Sequence, residues 1–160
     1  MIWLISISCV ICFSYIIFIL TKTVPESLSA TNYMFKKRYF RPYCVLVAMT
    51  LLPPWLEITN GYNCQFLAFL ACAGLLFVGG SADYREDKFV YNLHFICAYI
   101  ACLASIIGII VLTSFWYLVL IIPTGMLIIA ITLGIEKTWV FWLEVFVFFI
   151  VYLSLFLEYL

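Results

Sequence analysis

The stretch Phe77-Val-Gly-Gly-Ser-Ala-Asp-Tyr-Arg-Glu-Asp-Lys-Phe-Val-Tyr-Asn-Leu-His94 determines how the chain is organised. It lies between two apolar runs, holds five of the few charged residues and ends on the only histidine of the chain. Several adjacent charged side chains are too costly to place in hydrocarbon, whereas the flanking runs suit it. The stretch therefore predicts a polar loop that joins two membrane-spanning helices.

The composition extends this prediction to the whole chain. Of its 160 residues, 68% are hydrophobic and 10% are charged, whereas soluble domains are about 45–50% apolar and about 25% charged. The aromatic content of 19% suits helix ends at lipid headgroups. Because the net charge is zero, nothing indicates a nucleic-acid partner. The expected partners are membrane lipids, with itself or another membrane protein as a further partner.

We predict an all-α fold with one integral membrane domain over residues 1–160. The apolar runs indicate a transmembrane bundle of six helices with short loops, with spans at 2–20, 43–59, 64–80, 93–112, 115–133 and 138–157. About 20 apolar residues cross the ~30 Å of hydrocarbon. The pair Pro53-Pro54 removes two backbone donors, so the second helix is expected to kink or end near Leu52.

Small residues predict which spans pack together. One face of span four carries a stripe of small or polar side chains, namely His94, Ala98, Ala101, Ser105 and Gly108. Span three is also rich in small residues, which allow close helix approach in lipid. Spans three and four are therefore expected to pack closely. Span six, rich in phenylalanine, is expected to lie at the periphery.

The basic residues predict the orientation. All eight lie in the loops after spans one, three and five. The positive-inside rule places such loops in the cytoplasm. The chain is therefore predicted to be a multi-pass protein of the inner (cytoplasmic) membrane of a bacterium, with both termini outside.

The first two of these loops, the start of span four and span six hold the candidate residues for a polar site at the cytoplasmic face: Glu26, Ser29, Asp83, His94 and Glu144. A histidine near carboxylates could bind a metal or act as a general base. One histidine is too few for a usual zinc site, and the seven cysteines lie in or beside apolar runs as small hydrophobes. We therefore predict no metal and no cofactor, and His94 has the simpler interpretation of a hydrogen-bonded residue that organises its loop.

The first predicted cytoplasmic loop allows two interpretations. In the simpler one, a short amphipathic helix directs a basic patch at anionic lipid headgroups, formed by Lys36, Lys37, Arg38 and Arg41. In the other, the hydroxyl groups and Glu26 fold back to meet Asp83 and His94.

Two segments carry a resemblance. Pro25-Glu-Ser-Leu-Ser-Ala-Thr-Asn-Tyr33, together with Phe77-Val-Gly-Gly-Ser-Ala-Asp83 and the lone His94, resembles small uncharacterised polytopic membrane proteins of gut bacteria and their phages. Those proteins have a Pro-x-Ser-(Ile/Leu)-Ser-Ala-Thr-Tyr-Tyr segment after helix one. The chain is also similar to the DRAM/Frag-like six-helix family, with a Ser/Thr-containing segment after helix one and a histidine early in helix four. The first resemblance implies a phage-related membrane protein, and neither assigns an activity or a residue role.

Three functions follow as hypotheses. The favoured one is a non-enzymatic membrane-modifying or interaction protein. The first alternative is an intramembrane enzyme, or a small-molecule or lipid binder, with a site at the cytoplasmic face. Catalysis by His94 requires contact with Asp83 or Glu26. The second alternative is proton or ion conduction, which requires Glu57 and Glu144 to share a polar interior.

Overall fold

The computed structural model describes residues 1–35, 37–133 and 137–160, and within these ranges all regular structure is helical. The prediction of an all-α fold is therefore confirmed. A 3-10 helix, Trp116–Leu120, leads into the sixth of seven α-helices in the described ranges. These are α1 Ile2–Leu20, α2 Thr31–Met34, α3 Phe40–Ile58, α4 Gln65–Gly80, α5 Lys88–Leu112, α6 Ile121–Leu133 and α7 Trp139–Tyr159.

Three of these helices, α1, α5 and α7, are long and apolar enough to cross a membrane. Helix α4 is apolar but has 16 residues, which is about 24 Å of helix against a hydrocarbon core of ~30 Å. The apolar stretch 116–132 is similarly short. Helix α3 has 19 residues but includes Arg41, Glu57 and both prolines. The described residues thus contain three clear candidate spans, whereas α3, α4 and the stretch 116–132 are shorter or more polar.

Helix α3 runs through Pro53 and Pro54 to Ile58, so of the two outcomes expected near Leu52, a kink or an end of the helix, the end does not occur. Adjacent prolines remove only two consecutive backbone donors, and later contacts secure the last turn. Trp55 is 2% exposed, and its ring lies close to Gly108 of α5. The Tyr159 hydroxyl donates to the Pro54 carbonyl at 3.0 Å. Packing therefore outweighs the intrinsic cost of proline in this helix.

Helix α5 begins at Lys88, five residues before the predicted span. The Asp87 carboxylate accepts hydrogen bonds from the backbone N–H groups of Phe89 (2.7 Å) and Val90 (3.0 Å). An N-cap aspartate satisfies donors that the first helical turn leaves unpaired. As a result, His94 lies about two turns inside the helix and not at its start.

Helices α4 and α5 pack closely, as their small residues predict. A Cβ atom added at Gly74 would lie 2.9 Å from the carbonyl oxygen of Cys97 and 3.0 Å from Cβ of Ala101. The two backbones therefore touch at this point. Close contact of this kind supplies the van der Waals attraction that holds helices together in lipid.

The expectation that the last helix is peripheral is wrong. Phe141 and Ile150 of α7 are fully buried, and Tyr152 and Leu155 are each 2% exposed. Helix α7 contacts α1, α3, α5 and α6, whereas α6 packs mainly on α7 and the 3-10 helix. Large side chains can be central where a neighbour leaves room for them.

The bundle has two chemically different ends. At one end, here called the charged end, the Tyr33 hydroxyl accepts a hydrogen bond from the Arg85 N–H at 2.8 Å. There the Glu26 carbonyl also accepts from the Phe141 N–H at 3.2 Å. At the opposite end, Glu158 near the end of α7 accepts from the Ser114 N–H. The loops after α1 and α4 and the start of α7 thus meet at the charged end.

Candidate functional site

A polar stretch between α1 and α3, residues 25–32, folds into the bundle at the charged end and is here called the inserted segment. Thr31 and Asn32 are fully buried, and Leu28 and Ser29 are 3% and 6% exposed. The segment satisfies part of its own polarity, because Ser27 Oγ accepts from the Ala30 N–H at 3.2 Å. It therefore lies inside the fold and does not form the interfacial helix of the simpler interpretation.

The inserted segment is tied to its neighbours through Thr31 and Asn32. The Tyr15 hydroxyl of α1 lies 2.6 Å from Thr31 Oγ1. The Asn32 amide nitrogen donates to the Ala82 carbonyl at 3.0 Å and to Asp83 Oδ1 at 3.2 Å. The segment thus bridges α1 and the loop that follows α4.

Charged side chains of the two loops pair with one another on the outside of this bridge. Asp83 is paired with Arg41 and with Lys37, whose Nζ lies 3.1 Å from Asp83 Oδ1. Lys37 also pairs with Glu86, and Arg85 lies 3.3 Å from Glu26. Two residues of the predicted lipid-facing patch, Lys37 and Arg41, are therefore directed at the acidic loop. Arg38 is exposed, and Lys36 lies outside the described residues.

These pairs shift ionisation in the expected directions. Partial burial tends to raise the pKa of Asp83, but the hydrogen bond from Lys37 and the charge of Arg41 outweigh it and hold the pKa below its usual value of 3.8. Hydrogen bonds to Glu86 and Asp83 raise the pKa of Lys37. Exposed ion pairs contribute little free energy each. Their main effect is to order the two loops against each other.

His94 is buried, at 2% exposure, and belongs to a separate set of contacts. Its Nδ1 atom lies 3.3 Å from Ser81 Oγ, and its ring stacks on Tyr84 at 4.4 Å between centroids. In the described ranges no hydrogen bond or ion pair joins it to Asp83 or Glu26. The contacts are those of a histidine that fixes the loop onto α5.

Glu144 of α7 lies directly beneath the inserted segment. Its Oε2 atom accepts a hydrogen bond from the Leu28 backbone N–H at 2.7 Å. Across the part of the chain that the structure describes, this is its sole hydrogen bond to the protein. The side chain lines a cavity of about 80 Å³ between α3, α4, α5 and α7. A cavity this large holds several water-sized groups, since one water needs only about 10–15 Å³ of this measure.

The cavity walls are largely apolar, with Leu51, Trp55, Ala71, Ala101, Val147 and Val151 among the lining residues. Besides Glu144, the lining side chains with polar groups are Ser105, the thiols of Cys72 and Cys102, and the indole N–H of Trp55. Despite these thiols and the carboxylate, no group of three or more metal-ligating side chains is placed to hold an ion within the described ranges. The chemical character of the cavity is that of one carboxylate in an apolar pocket.

The structure thus distributes the five candidate residues over separate contacts. Glu26 and Asp83 belong to the loop pairs, Ser29 lies 3.0 Å from Ser27 Oγ, and Glu144 is held by the inserted segment. No hydrogen bond links any two of the five in the described ranges. The sequence did not identify the Leu28 N–H as the partner of Glu144, because a pattern of side chains does not indicate which backbone donor a carboxylate will meet.

Glu57 is at the other end of the bundle. Its side chain is exposed and lies 2.5 Å from the Tyr159 hydroxyl. It is not among the residues that line the Glu144 cavity. The two carboxylates therefore do not share this cavity, as conduction would require.

No protein-family model matches the chain, and the curated proteins and the solved structures give no match to it. What the chain does must therefore be argued from the cavity and its lining.

Proposed function

We propose that the protein is a six-span, non-enzymatic protein of a bacterial cytoplasmic membrane that binds a small amphipathic molecule in the Glu144 cavity. The observation that carries this is a partly satisfied carboxylate in an otherwise apolar cavity between four helices. Ligand sites are commonly apolar hollows with few, well-placed polar groups. An ionisable residue in a span also costs about 2.5–3.5 kcal/mol on insertion scales, so its retention calls for a partner or a role.

Two observations support the six-span arrangement. The loops after α1 and α4 and the start of α7 meet at one end, and the basic residues lie in those same regions. The shorter α4 is packed against both α3 and α5, so its neighbours cover part of its surface. Short helices in a bundle are accommodated by local thinning of the bilayer. On this proposal both termini face outward, following the positive-inside rule.

Catalysis and conduction have no comparable observation behind them. Catalysis by His94 needs a nearby carboxylate, and in the described ranges no hydrogen bond or ion pair joins His94 to one. Conduction needs Glu57 and Glu144 along one polar path, and Glu57 lies outside the cavity. Binding needs only the cavity itself.

Photolabelling tests the proposal. The probe is a twelve-carbon alkyl alcohol with a diazirine on its chain, added to the purified protein in maltoside detergent. We expect labelled peptides from the cavity-lining parts of α5 and α7. Ala98→Leu places a larger side chain in the cavity wall and should abolish that label.

The matched control is Ala130→Leu, the same change at an exposed position of α6 that does not line the cavity. It should leave the labelling pattern unchanged. Melting temperatures of both variants show whether they are folded. Labelling that is spread evenly over the apolar surface, or that survives in a folded Ala98→Leu variant, would refute binding in the cavity.

A further inference from the structure

We propose that the Glu144 cavity selects a single-chain amphipath whose head group is a hydrogen-bond donor, best a primary ammonium, and discriminates against a carboxylate head group. This inference rests on the proposed function and adds the chemical class of the ligand. It is carried by the positions of the acceptors, donors and cations around the cavity.

The first step is the unused acceptor capacity of Glu144. A carboxylate has two oxygens and about four lone-pair sites. The Leu28 N–H occupies one site on Oε2 at 2.7 Å, and the described residues supply no second donor. A ligand that donates hydrogen bonds can satisfy the remaining sites, whereas a ligand carboxylate would add a like charge beside Glu144.

The second step concerns the other polar groups of the cavity. Ser105 donates its hydroxyl hydrogen to the Ala101 carbonyl at 2.7 Å, so it offers the cavity mainly an acceptor. Thiols are weak donors. The remaining strong donor among the lining side chains is the indole N–H of Trp55, which belongs to the part of α3 far from the charged end. A donor-rich head group is thus complemented by the Glu144 carboxylate, with the Ser105 hydroxyl as a further acceptor farther along α5.

The third step is the placement of cations. Lys37, Arg41 and Arg85 are each paired with an acidic loop residue, and none of them lines the cavity. Among the described residues that line the cavity there is no lysine or arginine to pair with an anionic head group. In surroundings of low dielectric constant, an uncompensated charge near Glu144 is strongly disfavoured.

The fourth step is shape. On α7 the lining runs from Glu144 to Val151, and on α5 from Ala98 to Ser105, each about 10 Å of helix at 1.5 Å per residue. The cavity is thus elongated along the bundle, with the carboxylate at the charged end and apolar walls beyond it. Its volume of about 80 Å³ suits a head group and a short length of one chain and not a two-chain lipid.

The test is competition against the diazirine alcohol in non-ionic maltoside micelles, with dodecylamine, dodecanol and dodecanoate as competitors and their micelle partitioning measured separately. We expect dodecylamine to displace the label at a concentration roughly tenfold below that of dodecanol, because charge-assisted hydrogen bonds are the stronger ones. Dodecanoate should be the weakest competitor. Glu144→Gln should bring the amine and the alcohol to similar potency.

Glu158→Gln is the matched control, because it changes a carboxylate of the same helix that lies outside the cavity. It should preserve the wild-type ranking. The ranking in the wild-type protein is informative even if Glu144→Gln fails to fold. Equal or better competition by dodecanoate, or a preference for the amine that persists in Glu144→Gln, overturns the inference. Cavity label that is sensitive to Ala98→Leu but indifferent to head group would leave the proposed function standing, whereas absence of cavity label would remove both.

Discussion

Replacing Gly74 by alanine should destabilise the bundle, although alanine is the better helix former. The added Cβ would lie 2.9 Å from the Cys97 carbonyl oxygen, 3.0 Å from Ala101 Cβ and 3.1 Å from the Ala101 nitrogen. Backbone atoms of α5 cannot rotate away as a side-chain tip can, so the helices must separate. Overpacking of this kind costs about 1–3 kcal/mol. The gain in helix propensity from glycine to alanine offsets at most about 1 kcal/mol.

Gly80 is the matched control, because it lies in the same helix and a Cβ added there meets no atom within 4 Å. Gly80→Ala should therefore be neutral or slightly stabilising. We expect Gly74→Ala to melt roughly 2–10 °C below Gly80→Ala, since 1 kcal/mol corresponds to about 2–4 °C for a chain of this size. The assay is thermal unfolding in maltoside micelles, followed by the fraction that remains monodisperse after heating. Equal melting temperatures for the two variants would refute the close α4–α5 contact.

Three further predictions address the two ends of the bundle. Tyr159→Phe removes the hydroxyl that contacts Glu57 and the Pro54 carbonyl, so it should lower the free energy of unfolding by about 0.5–1.5 kcal/mol. Tyr99→Phe, at a 65% exposed position, is the control and should cost less in the same thermal assay. Because the pKa of Asp83 is lowered, its contribution to stability is present above pH 3.8 and is lost as the pH falls through the lowered pKa. When the melting temperature is measured at decreasing pH, Asp83→Asn should therefore lose less stability than the wild type. An identical loss would contradict the pairing. Cys64 is partly exposed beside the α3–α4 turn and should react with a membrane-impermeant maleimide added to intact cells. An Arg38→Cys variant should gain additional label only after the cells are opened. The reverse pattern would invert the proposed orientation.

Local patterns predicted much of the helical framework. Uncharged apolar runs marked where helices lie, because membrane-length helices need continuous apolar sequence. The small residues around Gly74 and Ala101 predicted close packing of α4 and α5, because their effect depends on size alone. The start of α5 had a usable signal in Asp87, an N-cap residue just before a basic residue and an apolar run.

The central position of α7 could not be predicted from its own residues. Whether Phe146 faces a neighbour depends on whether that neighbour leaves space, and the space is Gly125 of α6, where an added Cβ would lie 2.3 Å from the phenylalanine ring. Complementarity of this kind belongs to a pair of helices and not to one. The continuation of α3 past Pro54 likewise depends on contacts from Tyr159, far along the chain.

The candidate site was predictable in part. Glu144 was conspicuous because a carboxylate in an apolar run needs an explanation. Its cavity and the Leu28 N–H were not predictable, because both arise from how distant segments meet. The folding back of the loop after α1 was one of two interpretations open to the sequence, but its partners differ from those expected. Glu26 meets Arg85, and Asn32 meets Asp83.

The bond between Leu28 and Glu144 joins residues that are 116 positions apart, and this fixes when the cavity can be completed during synthesis. At about 5–20 residues per second, Leu28 leaves the ribosome roughly 6–23 s before Glu144 does. Throughout that interval the Leu28 N–H lacks the Glu144 carboxylate, and the inserted segment lacks the helix α7 on which it packs. The Glu144 cavity therefore cannot be completed until α7 has been made, and a nascent chain that stops before α7 lacks both Glu144 and the α7 wall of the cavity.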